Sequence, residues 1–241
     1  MPKTLTFDVN GTRREAVVVV PATPPPSTGF PVVFAFHGHG GTAQSSLRKF
    51  AIHRHWPEAL VVYPQGETGV VGITDPQGKK SGWQKNPGEL ADRDLLFFDA
   101  MLAKLTNEYK IDAKRIHAMG HSNGSRFVCV LWNQRGDKLA SLATSGGQAG
   151  LLAEKAPVLP LFMIAGQADP LVKFDGQKRT IDKIKEKYRT DAATAETRGH
   201  FRRETNADGI EIVTYLHPGG HEFPEVVIPE MVKFFKKHPK R

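Results

Sequence analysis

Arg115-Ile116-His117-Ala118-Met119-Gly120-His121-Ser122-Asn123-Gly124-Ser125-Arg126-Phe127-Val128-Cys129-Val130-Leu131-Trp132 is the stretch that decides the fold. Residues 115–119 read as a buried strand and residues 126–132 as a helix. Between them lies Gly120-His121-Ser122-Asn123-Gly124, a Gly-x-Ser-x-Gly elbow. In a strand–turn–helix setting such an elbow lifts a serine out of the main chain on a strained backbone. Small residues on both sides of it let strand and helix approach closely. An isolated Gly-x-Ser-x-Gly can be an ordinary turn, so its meaning depends on its surroundings.

Outward from the elbow, apolar strands alternate with helical patterns. Residues 31–36 and 59–63 are short, nearly continuous apolar runs, as expected of strands buried on both faces of a parallel sheet. Residues 139–144 and 159–165 read the same way, and residues 209–216 pair with 200–204 around Asn206-Ala207-Asp208-Gly209. Helices are expected over 43–55, 90–109, 177–188 and 225–237. The chain begins with two strands, 5–9 and 13–20, joined by Asn10-Gly11, a strong hairpin signal. The expectation is a single α/β domain over residues 1–241, with a mostly parallel, doubly wound sheet opened by an antiparallel hairpin. Residues 64–91 form a long, glycine-rich segment with little periodicity, the kind of loop that often serves function.

Composition narrows the classes. With 39% hydrophobic and 24% charged residues the chain is globular in character. No apolar run approaches the roughly 18 residues a membrane helix needs, so no membrane partner is expected. The N-terminus has no apolar signal segment, which suits either a cytoplasmic protein or a secreted one whose signal peptide is absent. The formal net charge is +8, but the cations are scattered, so a solvated basic surface is expected rather than a nucleic-acid face. Residues 233–241 concentrate lysine and arginine where the last turns of a helix would favour cations. The single Cys129 excludes an internal disulfide.

A nucleophilic serine needs a base, a group that orients the base, and donors for an oxyanion. The elbow context calls for an acid and then a histidine further along the chain, each just after a strand. Asp169 fits the first place, in Gly166-Gln167-Ala168-Asp169-Pro170, with Asp175 as the alternative. His221 fits the second, in His217-Pro218-Gly219-Gly220-His221, with His217 as the alternative. The oxyanion donors are expected to be the backbone N–H of Asn123 and one from the loop His37-Gly38-His39-Gly40-Gly41. In that loop either His39 or Gly40 can serve, with His39 preferred. Trp83 is a candidate for lining the acyl or alcohol pocket, with anchoring of its loop in the core as the alternative. The pairs His37/His39 and His53/His55 lack accompanying acidic or thiol ligands at a recognised spacing, so no metal is expected.

These residues resemble the α/β-hydrolase family of polyhydroxybutyrate depolymerase-type and feruloyl or acetylxylan esterase-type enzymes. The similarity runs from the hairpin through residues 31–42, 61–64 and Gly82-Trp83. It continues through the helix bearing Asp92 and Asp94 to residues 109–124, 165–170 and 219–224. The resemblance implies Ser122, Asp169 and His221 as a catalytic triad. It also implies hydrolysis of carboxylic esters of feruloyl, acetyl or hydroxyalkanoate type, without a cofactor and without a large lid. Depolymerisation of polyhydroxybutyrate or its oligomers, or peptidase activity on the same fold, is the alternative. The chain departs from the family at Ser125, where a second glycine is common, and at His39, where a cysteine is common. The sequence shows no separate substrate-binding domain like that of enzymes attacking solid polymer, so the expected substrates are soluble esters, small-molecule or oligosaccharide, including ester side groups on carbohydrate fragments.

Overall fold

The computed structural model describes residues 1–72 and 74–241, with Thr194 described by its backbone alone. Strands β1 (Pro2–Val9) and β2 (Thr12–Val19) pair antiparallel across Asn10 (φ 52°) and Gly11 (φ 78°). Both turn residues lie in the left-handed region that a two-residue hairpin of this kind requires. Strand β3 (Phe30–Phe36) is buried throughout. The helix expected over residues 43–55 is two helices, α1 (Ala43–Phe50) and α2 (Ile52–His55), broken at Ala51 with φ 44°. A continuous helix buries one stripe, and Phe50 and Ile52 would point to different sides of it. The left-handed step between them lets both be buried.

Strand β4 (Leu60–Pro64) follows, and the long segment after it contains a small ribbon of β5 (Glu67–Thr68) and β6 (Ser81–Gly82). Helix α3 (Arg93–Glu108) starts later than residue 90, because Leu90, Ala91 and Asp92 form a left-handed turn ahead of it. The elbow joins β7 (Ile111–His121) to α4 (Asn123–Arg135). The chain continues through β8 (Ser141–Ser145), the short α5 (Leu152–Lys155), β9 (Leu161–Gly166) and α6 (Phe174–Tyr188). It closes with β10 (Glu196–Arg198), β11 (Phe201–Thr205), β12 (Glu211–His217) and α7 (Ile228–Lys237).

Ten strands form one sheet in the order β1-β2-β4-β3-β7-β8-β9-β12-β11-β10. The stretch from β4 to β12 is parallel, and both flanks are antiparallel. The two-residue alternation of a strand splits the core in two. On β3, Val32, Phe34 and Phe36 join Leu95, Met101, Phe127 and Ile184 on one face. Val33 and Ala35 join Phe50, Ile52, Met231 and Phe235 on the other. Serine, acid and histidine therefore leave the same edge, at or just beyond the carboxyl ends of β7, β9 and β12. Open parallel sheets bind ligands at that edge.

Candidate active site

Close backbone packing produces the elbow. A Cβ on Gly120 would fall on the Gly124 carbonyl, and one on Gly124 would fall on the Phe36 carbonyl. Ser122 sits between them at φ 57°, ψ −121°, a strained conformation for a residue with a side chain. Its backbone N–H donates to the Ser145 carbonyl at 2.7 Å, which ties the elbow to β8. The side chain is thereby presented to the cleft.

The structure brings Ser122, His221 and Asp169 together. His221 Nε2 lies 2.7 Å from Ser122 Oγ, and His221 Nδ1 lies 2.7 Å from Asp169 Oδ2. With Nδ1 donating to the carboxylate, Nε2 is left to accept the serine hydroxyl. Asp169 has no exposed side-chain surface. Its Oδ1 accepts the N–H groups of Leu171 (2.9 Å) and Val172 (2.8 Å), and its Oδ2 also accepts Gln177 Nε2 at 3.0 Å. Burial alone would raise the Asp169 pKa. The hydrogen bonds from His221, Val172 and Leu171 outweigh it and hold the carboxyl below its ordinary value. Gln177, buried in the first turn of α6, went unnoticed in the sequence; nothing in its local pattern marks it. Asp175 is exposed at the start of α6. His217 stays on β12, stacked on Tyr215 and 3.5 Å from Glu222. Neither alternative touches the serine.

Among the described residues the backbone N–H groups of His39 and Asn123 have no hydrogen-bond partner. The Gly40 N–H donates to the Ser81 carbonyl at 2.7 Å and the Gly41 N–H to the Gly38 carbonyl at 2.9 Å. Of the two loop candidates, His39 therefore has the uncommitted donor. The Asn123 N–H is the first of α4 and has no partner within the helix.

The long loop clamps both donor segments. The Asn123 side chain accepts the Trp83 N–H through Oδ1 at 2.7 Å. Its Nδ2 donates to the carbonyls of Trp83 (2.9 Å) and Val71 (3.1 Å). The Trp83 indole N–H donates to the His37 carbonyl at 2.8 Å, and Ser81 Oγ donates to the Gly41 carbonyl at 2.6 Å. The placement of Trp83 corrects the reading that set it against substrate. Its side chain is fully buried, packed on Phe36 and Phe127, and does not line the cleft. It is large and apolar with one donor to satisfy, and the His37 carbonyl satisfies it inside the core.

One histidine of each pair has its own hydrogen-bond partner. His37 Nε2 accepts the Gly66 N–H at 2.9 Å and its Nδ1 donates to the Gly38 carbonyl at 2.7 Å. Burial pushes its pKa down to about 4, so the ring is neutral. His53 Nδ1 meets the Tyr63 hydroxyl at 2.9 Å. No group of three or more metal-binding side chains converges among the described residues. His121, inside the elbow, bonds Ser145 Oγ at 3.1 Å and lies 5.0 Å from the His221 ring. Burial lowers its pKa to about 3, so it adds no charge there.

Ser122 and His221 open onto a cleft of 740 Å³, with Val71, Leu171 and Val172 as its apolar walls. That volume suits a small organic molecule. Among the described residues no helix is long and apolar enough to cross a membrane.

The sheet order, the elbow and the flanking helices define an α/β-hydrolase fold. Solved structures share it. An acetyl xylan esterase from Aspergillus awamori superposes with a TM-score of 0.72 at 12% identity, covering 97% of this chain and 99% of its own. An S-formylglutathione hydrolase from Agrobacterium tumefaciens superposes with a TM-score of 0.71 at 13% identity, covering 99% and 95%. Among sequences, NocK of Nocardia uniformis subsp. tsuyamanensis bears the provisional name of an esterase. It is 27% identical, and the match covers 92% of this chain and 76% of its own. Feruloyl esterase D of Neurospora crassa is 23% identical over 91% of this chain and 77% of its own. No protein-family model matches the chain. The chain has the α/β-hydrolase fold, and its sequence is similar to those of named esterases.

Proposed function

We propose that this carboxylic ester hydrolase works through an acyl-enzyme on Ser122 and acts on soluble esters. His221 Nε2 takes the Ser122 proton as Oγ attacks the ester carbonyl. The N–H groups of His39 and Asn123 receive the oxyanion. As the tetrahedral intermediate collapses, the alkoxy C–O bond breaks and His221 returns its proton to the leaving alcohol. Water, deprotonated by the same imidazole, then attacks the acyl carbonyl. The acid leaves as Ser122 recovers its proton. Asp169 fixes the tautomer and stabilises the imidazolium formed in each step.

The observation that carries this reading is the unbroken relay from Asp169 through His221 to Ser122, with both contacts at 2.7 Å. The names of NocK and of the feruloyl esterase support ester chemistry. So does an acetylxylan esterase/xylanase of Neocallimastix patriciarum, of whose length the match spans 27%. Acetyl, feruloyl and hydroxyalkanoate esters are the substrates to try first. Ser122→Ala should lower kcat on a short p-nitrophenyl ester by about 10⁴-fold or more, with the circular dichroism spectrum unchanged. A well-folded variant with its rate intact would overturn the assignment.

A further inference from the structure

We propose that the ester taken by this site carries a negative charge of its own, a carboxylate on its acyl or alcohol part. This deepens the esterase reading and rests on it. Lys80, Lys85, Arg126 and Lys173 line the cleft that holds Ser122, and among the described residues no carboxylate lines it. The ammonium groups of the three lysines make no hydrogen bond and no ion pair among the described residues.

Arg126 is held in place without being neutralised. Its guanidinium donates to the carbonyls of Lys85 (2.8 Å), Gln148 (3.1 Å) and Ala149, and to Asn86 Oδ1 at 2.7 Å. All four acceptors are uncharged, so a fixed cation faces the cleft with its full charge. Asp169, Asp75 and Glu89 do not line the cleft and are engaged elsewhere. Asp169 serves His221. Asp75 accepts the Lys80 N–H and lies 3.6 Å from His39 Nε2. Glu89 accepts the N–H groups of Lys85 and Asn86, and its charge offsets part of that of Lys85.

Gathering cations in one concavity costs self-repulsion, and low-dielectric walls focus their field on whatever enters. A neutral ester gains nothing from that field, whereas an anionic one is drawn in. The positive lining also continues outward. A groove of 200 Å³ shares Gln148 and Gly150 with the cleft and carries Arg179, Lys183 and Lys187, with Glu154 as its one acid. The carboxylate takes no part in bond making or breaking. Its contribution falls on binding, and so on KM.

The test compares isosteric pairs. Monophenyl adipate against the phenyl ester of adipic acid monoamide places the charge on the acyl side. 4-Acetoxybenzoate against 4-acetoxybenzamide places it on the alcohol side. The charged member of at least one pair should be preferred at least fivefold in kcat/KM, mainly through KM. That preference should shrink when salt is raised from about 20 mM to about 500 mM. The Lys85→Gln/Lys173→Gln double variant, which leaves Lys80 and Arg126 in place, should lower the ratio at least twofold, and Lys85→Arg/Lys173→Arg should restore it. Equal or better turnover of the neutral member in both pairs overturns the inference and leaves the esterase reading standing. A preference of unchanged size in the double variant also overturns it. Absence of Ser122-dependent turnover of all four esters overturns both.

Discussion

In the proposed mechanism Asn123 contributes to the site twice, through its backbone N–H and through a side chain that holds the long loop. Its carboxamide ties Trp83 and Val71 to the first turn of α4, while the Trp83 indole ties that loop to the His37 carbonyl beside the second donor. Removing the carboxamide leaves the buried Trp83 N–H and carbonyl unpaired, at a cost of about 1–3 kcal/mol. Asn123→Ala should therefore lower the melting temperature. It should also lower kcat by about tenfold to a hundredfold, because small errors in donor position weaken the transition state more than the ground state. Kinetics and a thermal melt on the same preparation check this; unchanged kcat would show that the clamp serves stability alone. Ser122, Asp169 and His221 could be picked out in the sequence because each follows an apolar strand, in the order this elbow demands. Gln177 and the Asn123 carboxamide could not, and for Trp83 the sequence left pocket and core both open. Asn123 and Trp83 lie 40 residues apart, and Gln177 meets Asp169, eight residues before it, only through the turn that precedes α6; only the folded chain brings these groups together.

At the level of elements, the apolar runs placed the central strands and the 3.6-residue pattern placed the main helices. The helix starts were harder to read. Ala51, Leu90, Ala91 and Asp92 all adopt left-handed backbone without being glycine, so no residue type announces the break. What holds the start of α3 is a buried ion pair. Arg14 Nη2 on β2 lies 2.9 Å from Asp94 Oδ1, with both side chains essentially without exposure. Asp94 Oδ2 accepts the Gln84 N–H at 2.8 Å. This joins hairpin, long loop and helix. Removing Asp94 leaves the buried Arg14 with only Glu67, 3.7 Å away, as a counter-charge. Asp94→Ala should cost about 3–5 kcal/mol, read as a lowered urea midpoint. A loss under about 1 kcal/mol would mean that Arg14 finds another partner or water.

Across the whole molecule, the basic C-terminal end does more than complement a helix dipole. Lys237 Nζ (3.2 Å) and His238 Nε2 (2.6 Å) converge on Glu211 at the start of β12. They pin α7 across the sheet that carries His221. Burial would raise the Glu211 pKa, but the bonds from His238 and Lys237 overcome it and draw it from 4.5 down to about 2. A depressed carboxylate stabilises the fold above its unfolded value, and that stability is lost as pH falls toward the folded one. Melting temperature should therefore drop between about pH 5 and about pH 2. Glu211→Gln should flatten part of that slope and lose on the order of 3 kcal/mol at neutral pH. An unchanged pH profile in that variant would place the acid sensitivity elsewhere. This clamp was legible in the sequence only as a run of cations, because their acceptor lies on another element.

The acyl-enzyme is tested most directly by mixing the protein with a short p-nitrophenyl ester, quenching in acid within the first turnover, and weighing the intact chain. One added acyl group is expected, located on the peptide containing Ser122, with a matching burst of p-nitrophenol and no adduct on Ser122→Ala. Hydrolysis at full rate with no adduct on Ser122, or with the adduct on another residue, would contradict the mechanism.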